Sequence, residues 1–286
     1  MEYKERKIAA LLNLVDDTDE DIISIVESEI KQNGKMALSL IDEYILNAEH
    51  PRLINRLNKV KHELQFSEYS SNFNKWLRKN DKDLISAIEI ITSVQFEQFE
   101  KNSFKEAILY LKDAFWLEMS PRMNAFEKIR AFNKLFFELF DLKNSLENHL
   151  PHYHFPHIAL EEQTGSNFSL ALIYTIVAHE LDLPVYILSP SIDDINLGYV
   201  DTENINRKIG GKNDEILFYI DISNKGRVTP SILSDELNLN GLKLISHTEV
   251  VRQYLCLLIL SYHRWQNQGH KVENLEELLY LLESHR

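Results

Sequence analysis

The stretch Thr164–Pro190, TGSNFSLALIYTIVAHELDLPVYILSP, decides the fold. Its Ser169–Leu181 portion is apolar on almost every side, which predicts a helix buried on most of its faces. Leu183-Pro184 stops that helix, and Val185-Tyr186-Ile187-Leu188 is a short β-branched and aromatic run, a strand signal. Downstream, Leu197–Val200 and Ile216–Ile220 (ILFYI) read as further strands, separated by a polar loop that contains Gly210-Gly211. Asn224-Lys225-Gly226 reads as a hairpin turn leading into Arg227-Val228-Thr229. One buried helix followed by several adjacent strands is an α+β arrangement with a small antiparallel sheet.

The chain on either side of this centre predicts helices. Before residue 150 there is one glycine, Gly34, and two prolines, Pro51 and Pro121; from Pro151 to Gly241 there are six glycines and five prolines. Turn formers break helices, so the first half should be nearly all helical. Ile8, Leu11, Leu12 and Val15 fall at helical spacing, and the acidic run Asp16–Asp21 ends that helix and caps the next. Ile22 to Ile30 give a second apolar face closed by Asn33-Gly34; Met36 to Ile45 give a third, and Leu53 to Leu64 continue the pattern. LLNLVDDTDEDIISIVESEIKQNGKMALSLIDEYI resembles a HEAT-type repeat. Further helices are expected over Asp83–Val94, Phe104–Leu117 and Asn124–Phe140, the last with aromatics that read as core. Glu249–Gln266 and Val272–Leu282 close the chain as a helical hairpin resembling a tetratricopeptide unit. The expected division is a helical HEAT-like region over 1–100, a core over 101–242 and a C-terminal hairpin over 243–286.

Composition excludes several classes of function. With 31 basic and 44 acidic residues among 286, the net charge is −13, and no basic block is long enough to hold a phosphate backbone, so nucleic acid is not expected as a partner. No apolar run approaches the ~20 residues that span a bilayer. The start MEYKERKIAALLNLVDDTDED lacks a secretory cleavage pattern, which points to a cytoplasmic protein. The single cysteine, Cys256, excludes an intrachain disulfide and a thiolate metal cluster.

The central stretch resembles the start of the transglutaminase-like core. More of the chain, from LVDDTDEDIISIVESEIKQNG through AFWLEMSPRMNAFEKIRAFNKLFFELF and FYIDISNKGRV to ENLEELLYLLE, is similar to a bacterial subfamily of transglutaminase-like proteins of unassigned function. The resemblance implies a Gly-x-Cys turn opening the buried helix, a His on the next strand and an Asp on the third. A thiol at a helix N-terminus has its thiolate stabilised by the dipole, and the imidazole takes the proton. Here Gly165-Ser166-Asn167 occupies the turn, so Asn167 stands where the nucleophile would be. Where the subfamily carries Gly-His-Phe, this chain has Ser191-Ile192-Asp193-Asp194-Ile195-Asn196. Neither Asp193 nor Asp194 can do an imidazole's double duty near neutral pH unless its pKa is strongly raised. Asp221 matches the orienting acid, and its simpler role is to cap the turn before Asn224.

Two functions from different classes follow. One is a catalytically inactive transglutaminase-like protein that binds a protein or peptide and needs no cofactor. The other is a hydrolase or acyl transferase of papain-like fold using Ser166 or Ser169 with Asp193 or Asp194 and Asp221. Cys256, among apolar neighbours in QYLCLLILSY, reads as structural. His149, His152, His154 and His157 in HLPHYHFPH have metal-ligand spacing, but two prolines stiffen the run and no acidic residue interrupts it. That segment reads as a loop whose histidines pack or face solvent.

Overall fold

The computed structural model describes residues 3–15, 17, 19–48, 50–100, 102–147, 149–189, 195–200, 216–233, 239, 242–265 and 269–285. The chain divides between Phe73 and Asn74 into two compact units. In the first, α1 (Tyr3–Asn13), α2 (Glu20–Lys31), α3 (Gly34–Asn47) and the first part of α4 (Pro51–Arg78) share one core. Asp19 caps α2 by accepting from the Asp21 amide, and Gly34 turns the chain into α3 at φ +51°, a conformation that favours glycine. Ile8, Leu12, Val26, Ile30, Ile41, Leu57 and Val60 meet in the interior, each fully buried aliphatic side chain contributing about 1.5–3 kcal/mol. Arg56 bonds the Val15 and Asp17 carbonyls and so holds the acidic turn against α4.

The second unit is α+β. After α5 (Leu84–Gln95) and α6 (Ser103–Glu118), a capping box at Asn124 and Glu127 starts α7 (Ala125–Asn133). A single helix was expected to reach Phe140, but Lys134–Leu139 is a π-turn, closed by the Phe140 amide on the Leu135 carbonyl at 2.9 Å. The wider turn brings consecutive side chains closer in azimuth, so Leu135, Phe136 and Phe137 are all buried, whereas Phe126 and Leu139 face solvent. Then come β1 (Lys143–Asn144), a 3₁₀ turn (Pro151–His154), α8 (Pro156–Glu161) and β2 (Thr164–Gly165), with β1 and β2 in a short parallel ladder. The histidine-rich segment is therefore two short helices and not a loop. Pro151 and Pro156 sit at their first positions, where the missing amide proton costs nothing.

Helix α9 (Asn167–Glu180) is the buried helix of the sequence reading, with every residue from Phe168 to Ala178 buried. Ser166 caps its start; at its end Asp182 takes a left-handed conformation and the Leu183 amide returns to the Ala178 carbonyl at 2.9 Å. The strands follow: β3 (Val185–Ser189), β4 (Asn196–Val200), β5 (Ile216–Asp221), β6 (Arg227–Pro230) and β7 (Lys243–Leu244), an antiparallel sheet in the order β6-β5-β4-β3-β7. Helices α10 (His247–Arg264) and α11 (Gly269–Ser284) end the chain, pack on each other and both contact α5. Among the described residues no helix is long and apolar enough to cross a membrane.

Candidate functional site

The start of α9 is held by three neighbouring segments. Gly165 pairs with Asn144 in the parallel ladder, the Ser145 amide donates to the Gly165 carbonyl at 2.8 Å, and the Ser166 amide donates to the Tyr153 carbonyl at 2.8 Å. A Cβ on Gly165 would lie 2.5 Å from Ser169 Oγ and 2.6 Å from Ala159 Cβ, so the close approach requires glycine. Asn167 is the first residue of the helix, half-buried, with its Oδ1 buried and unpartnered among the described residues.

Ser166 and Ser169 spend their hydroxyls on the fold. Ser166 Oγ accepts the Ser169 amide as the helix cap. Ser169 Oγ lies 2.9 Å from both the Tyr153 and the Ser166 carbonyl oxygens, and Ser169 is 0% exposed. A hydroxyl whose proton goes to a carbonyl has no base to activate it.

The third strand places Asp221 opposite Asn196 of β4. Its Oδ1 accepts from Ser223 Oγ at 2.5 Å and from the Asn224 amide at 3.2 Å, capping a 3₁₀ turn (Ile222–Asn224). The turn is tied to the helix start through Asn144, whose Nδ2 donates to the Ser223 carbonyl at 3.1 Å while its Oδ1 is buried and has no partner among the described residues. The ladder thus makes Asn196 the residue facing the acid; Asp193 and Asp194 lie outside the described residues. Among the described residues, what gathers here is amides, serine hydroxyls bonded into the fold and one carboxylate whose Oδ1 is engaged by Ser223 and Asn224.

Sequence reading missed the element that braces this turn. Tyr174 OH, fully buried on α9, donates to Asn133 Oδ1 at 2.7 Å, and Asn133 Nδ2 donates to the Gly226 carbonyl at 2.6 Å. Gly226 has φ +71°, and a Cβ there would run into the Asn133 side chain. The left-handed glycine was visible as a turn signal; its bond to Asn133, separated by 93 residues, and that residue's bond to Tyr174, separated by 41, were not.

The remaining candidates lie elsewhere. Cys256 is half-buried on α10 with Arg252 Nη1 3.9 Å from its sulfur; burial pushes the thiol's pKa up despite that cation. His149 is exposed, and His152, also exposed, pairs with Glu162 at 2.8 Å. His154 is buried, and burial holds its pKa at about 4. His157 stands edge-on among Phe96, Phe99 and Phe155 and is held at about 4 by burial and by His152. Among the described residues no three histidine, cysteine or carboxylate side chains group to hold a metal ion.

Residues 102–242, which contain α6 through β6, match the family model of the transglutaminase-like superfamily. No curated protein and no solved structure matches the chain significantly.

Proposed function

From a transglutaminase-like domain at residues 102–242, we propose a protein that is catalytically silent and works by binding a protein or peptide. The observation that carries this reading is Asn167 at the start of α9, where the family's chemistry needs a thiol. An amide nitrogen shares its lone pair with its carbonyl and does not attack an acyl carbon. The lone thiol, Cys256, sits on α10 with a raised pKa, and the serine hydroxyls beside Asn167 are bonded into the helix start. An amide at the nucleophile's position, with the neighbouring described hydroxyls already bonded, supports the non-catalytic reading.

A macromolecular partner is favoured by α6. Tyr110, Trp116 and Leu117 on that helix are 69%, 66% and 76% exposed, large side chains of the kind that anchor interfaces. No observation favours the hydrolase or acyl transferase built on Ser166 or Ser169.

Two measurements test the proposal on the full chain. A glutamine peptide with a fluorescent amine, and separately an activated ester, should give no turnover; turnover that disappears in Asn167→Ala or Ser169→Ala overturns catalytic silence. A photoreactive amino acid placed at Trp116 in living cells should give one dominant protein adduct that weakens in Tyr110→Glu. Scattered adducts indifferent to Tyr110 overturn the binding surface.

A further inference from the structure

A cavity of about 350 Å³, within the range of small-molecule sites, opens at the end of α9 away from Asn167. The turn between α4 and α5, carrying Asp81 and Lys82, forms one wall; Tyr186 of β3, Val200 of β4 and Leu244 of β7 form another; the start of α10 forms the third. None of these residues belongs to the helix-start site described above.

The wall formed by the turn is held by the protein's own bonds. Trp76 Nε1 donates to the Asp83 carbonyl at 2.7 Å, Asp83 caps α5, and His247 Nδ1 bonds the Lys82 carbonyl, so the turn is clamped from both sides. Preformed walls reduce the ordering cost of binding.

The edge of β3 beside the cavity is already spent. His179 Nε2 donates to the Val185 carbonyl at 2.6 Å, the Val185 amide turns back to the Leu183 carbonyl at 2.8 Å, and the Ile187 carbonyl accepts the Ile245 amide at 3.4 Å. An extended peptide cannot add a strand here, which leaves a compact molecule as the occupant.

Charge selects its class. Lys82 is in the lining, and its Nζ donates one proton to the Lys79 carbonyl at 2.8 Å, which leaves two of its three protons uncommitted among the described residues. Asp81 balances that charge in the lining, so a dianion gains little. The start of α10 tips the balance towards one negative charge: its first-turn Glu249 is drawn back onto Arg252, with bonds of 2.8 and 2.6 Å. Tyr186, Val200 and Leu244 supply an apolar surface for the rest of the molecule.

We propose that this cavity binds a small organic monocarboxylate, its carboxylate at Lys82 and the start of α10 and its apolar body on Tyr186, Val200 and Leu244. The site is independent of the protein-binding role proposed above.

Calorimetric titration of the full chain with 3-phenylpropionate tests it, with 3-phenylpropanamide and phenyl phosphate as charge controls. The acid should bind saturably at one site, the amide about tenfold more weakly, as loss of a charge-assisted hydrogen bond requires. Leu244→Trp, which fills the cavity, should abolish binding. Lys82→Met, which leaves the packing alone, should weaken it about tenfold. Equal affinity for acid and amide, tighter binding of phenyl phosphate, undiminished binding by folded Lys82→Met, or no binding up to the solubility of the acid would each overturn the proposal.

Discussion

Acidification should destabilise the second unit through His154, by an amount that follows from its surroundings. The ring is 4% exposed, its Nδ1 is unpartnered among the described residues, and burial lowers its pKa from 6.5 to about 4. Above the open-chain pKa both folded and unfolded chains carry the neutral ring, and the full stability is present. Below it the unfolded chain takes up a proton that the folded chain refuses, so stability falls with pH until the folded pKa is reached. Each pH unit in that window costs about 1.4 kcal/mol, which gives about 2 kcal/mol near pH 5 and about 3.4 kcal/mol at the acid end. Trp76, Trp116 and Trp265 all lie beyond Phe73, so their fluorescence reports urea unfolding of the second unit. His154→Leu should match or slightly exceed the parent near neutral pH, because it removes an unpaired buried nitrogen. By about pH 5 the variant should lead by about 2 kcal/mol. Two stability curves that run parallel across this range would refute the reasoning. His157 and His179, both held at about 4, act in the same direction, so the parent should lose stability steeply below its neutral plateau.

Three other outcomes are expected. Asn133→Ala strands the buried Tyr174 hydroxyl and the Gly226 carbonyl and should cost about 2–4 kcal/mol in thermal or urea unfolding. Gly165→Ala forces a methyl between Ser169 and Ala159 and should cost about 1–3 kcal/mol, read the same way. Cys256, its thiol pKa raised by burial, should react with iodoacetamide several-fold more slowly than free cysteine near neutral pH; an equal rate would mean an exposed thiolate.

Where sequence reading worked, a long run of side chains repeated one signal. The all-round apolar Ser169–Leu181 stretch gave α9, and ILFYI gave β5, because burial on every side leaves no polar positions to interrupt the pattern. The ladders β1, β2 and β7 were missed because two residues cannot display a period. Pro151 and Pro156 misled for another reason: a proline that breaks a helix interior also opens a helix, and composition alone does not distinguish the two. At the site, the helix start and Asp221 could be placed from order along the chain. That Asn196 faces Asp221 is a matter of register, which spacing does not fix, and the bond from Asn144 to Ser223 joins residues 79 apart. The monocarboxylate cavity was invisible for the same reason, since it assembles a turn, three strands and a helix start from distant parts of the sequence.

The margins of the five-stranded sheet bear on how this protein behaves at high concentration. One border ends on Pro230, whose nitrogen has no proton to offer, and the other is the two-residue β7. Pro230 takes one donor from the first border and two residues present few rungs at the second, so edge-to-edge pairing with a neighbouring molecule, the common hazard of an open sheet in a crowded cell, is discouraged at both borders of the described sheet.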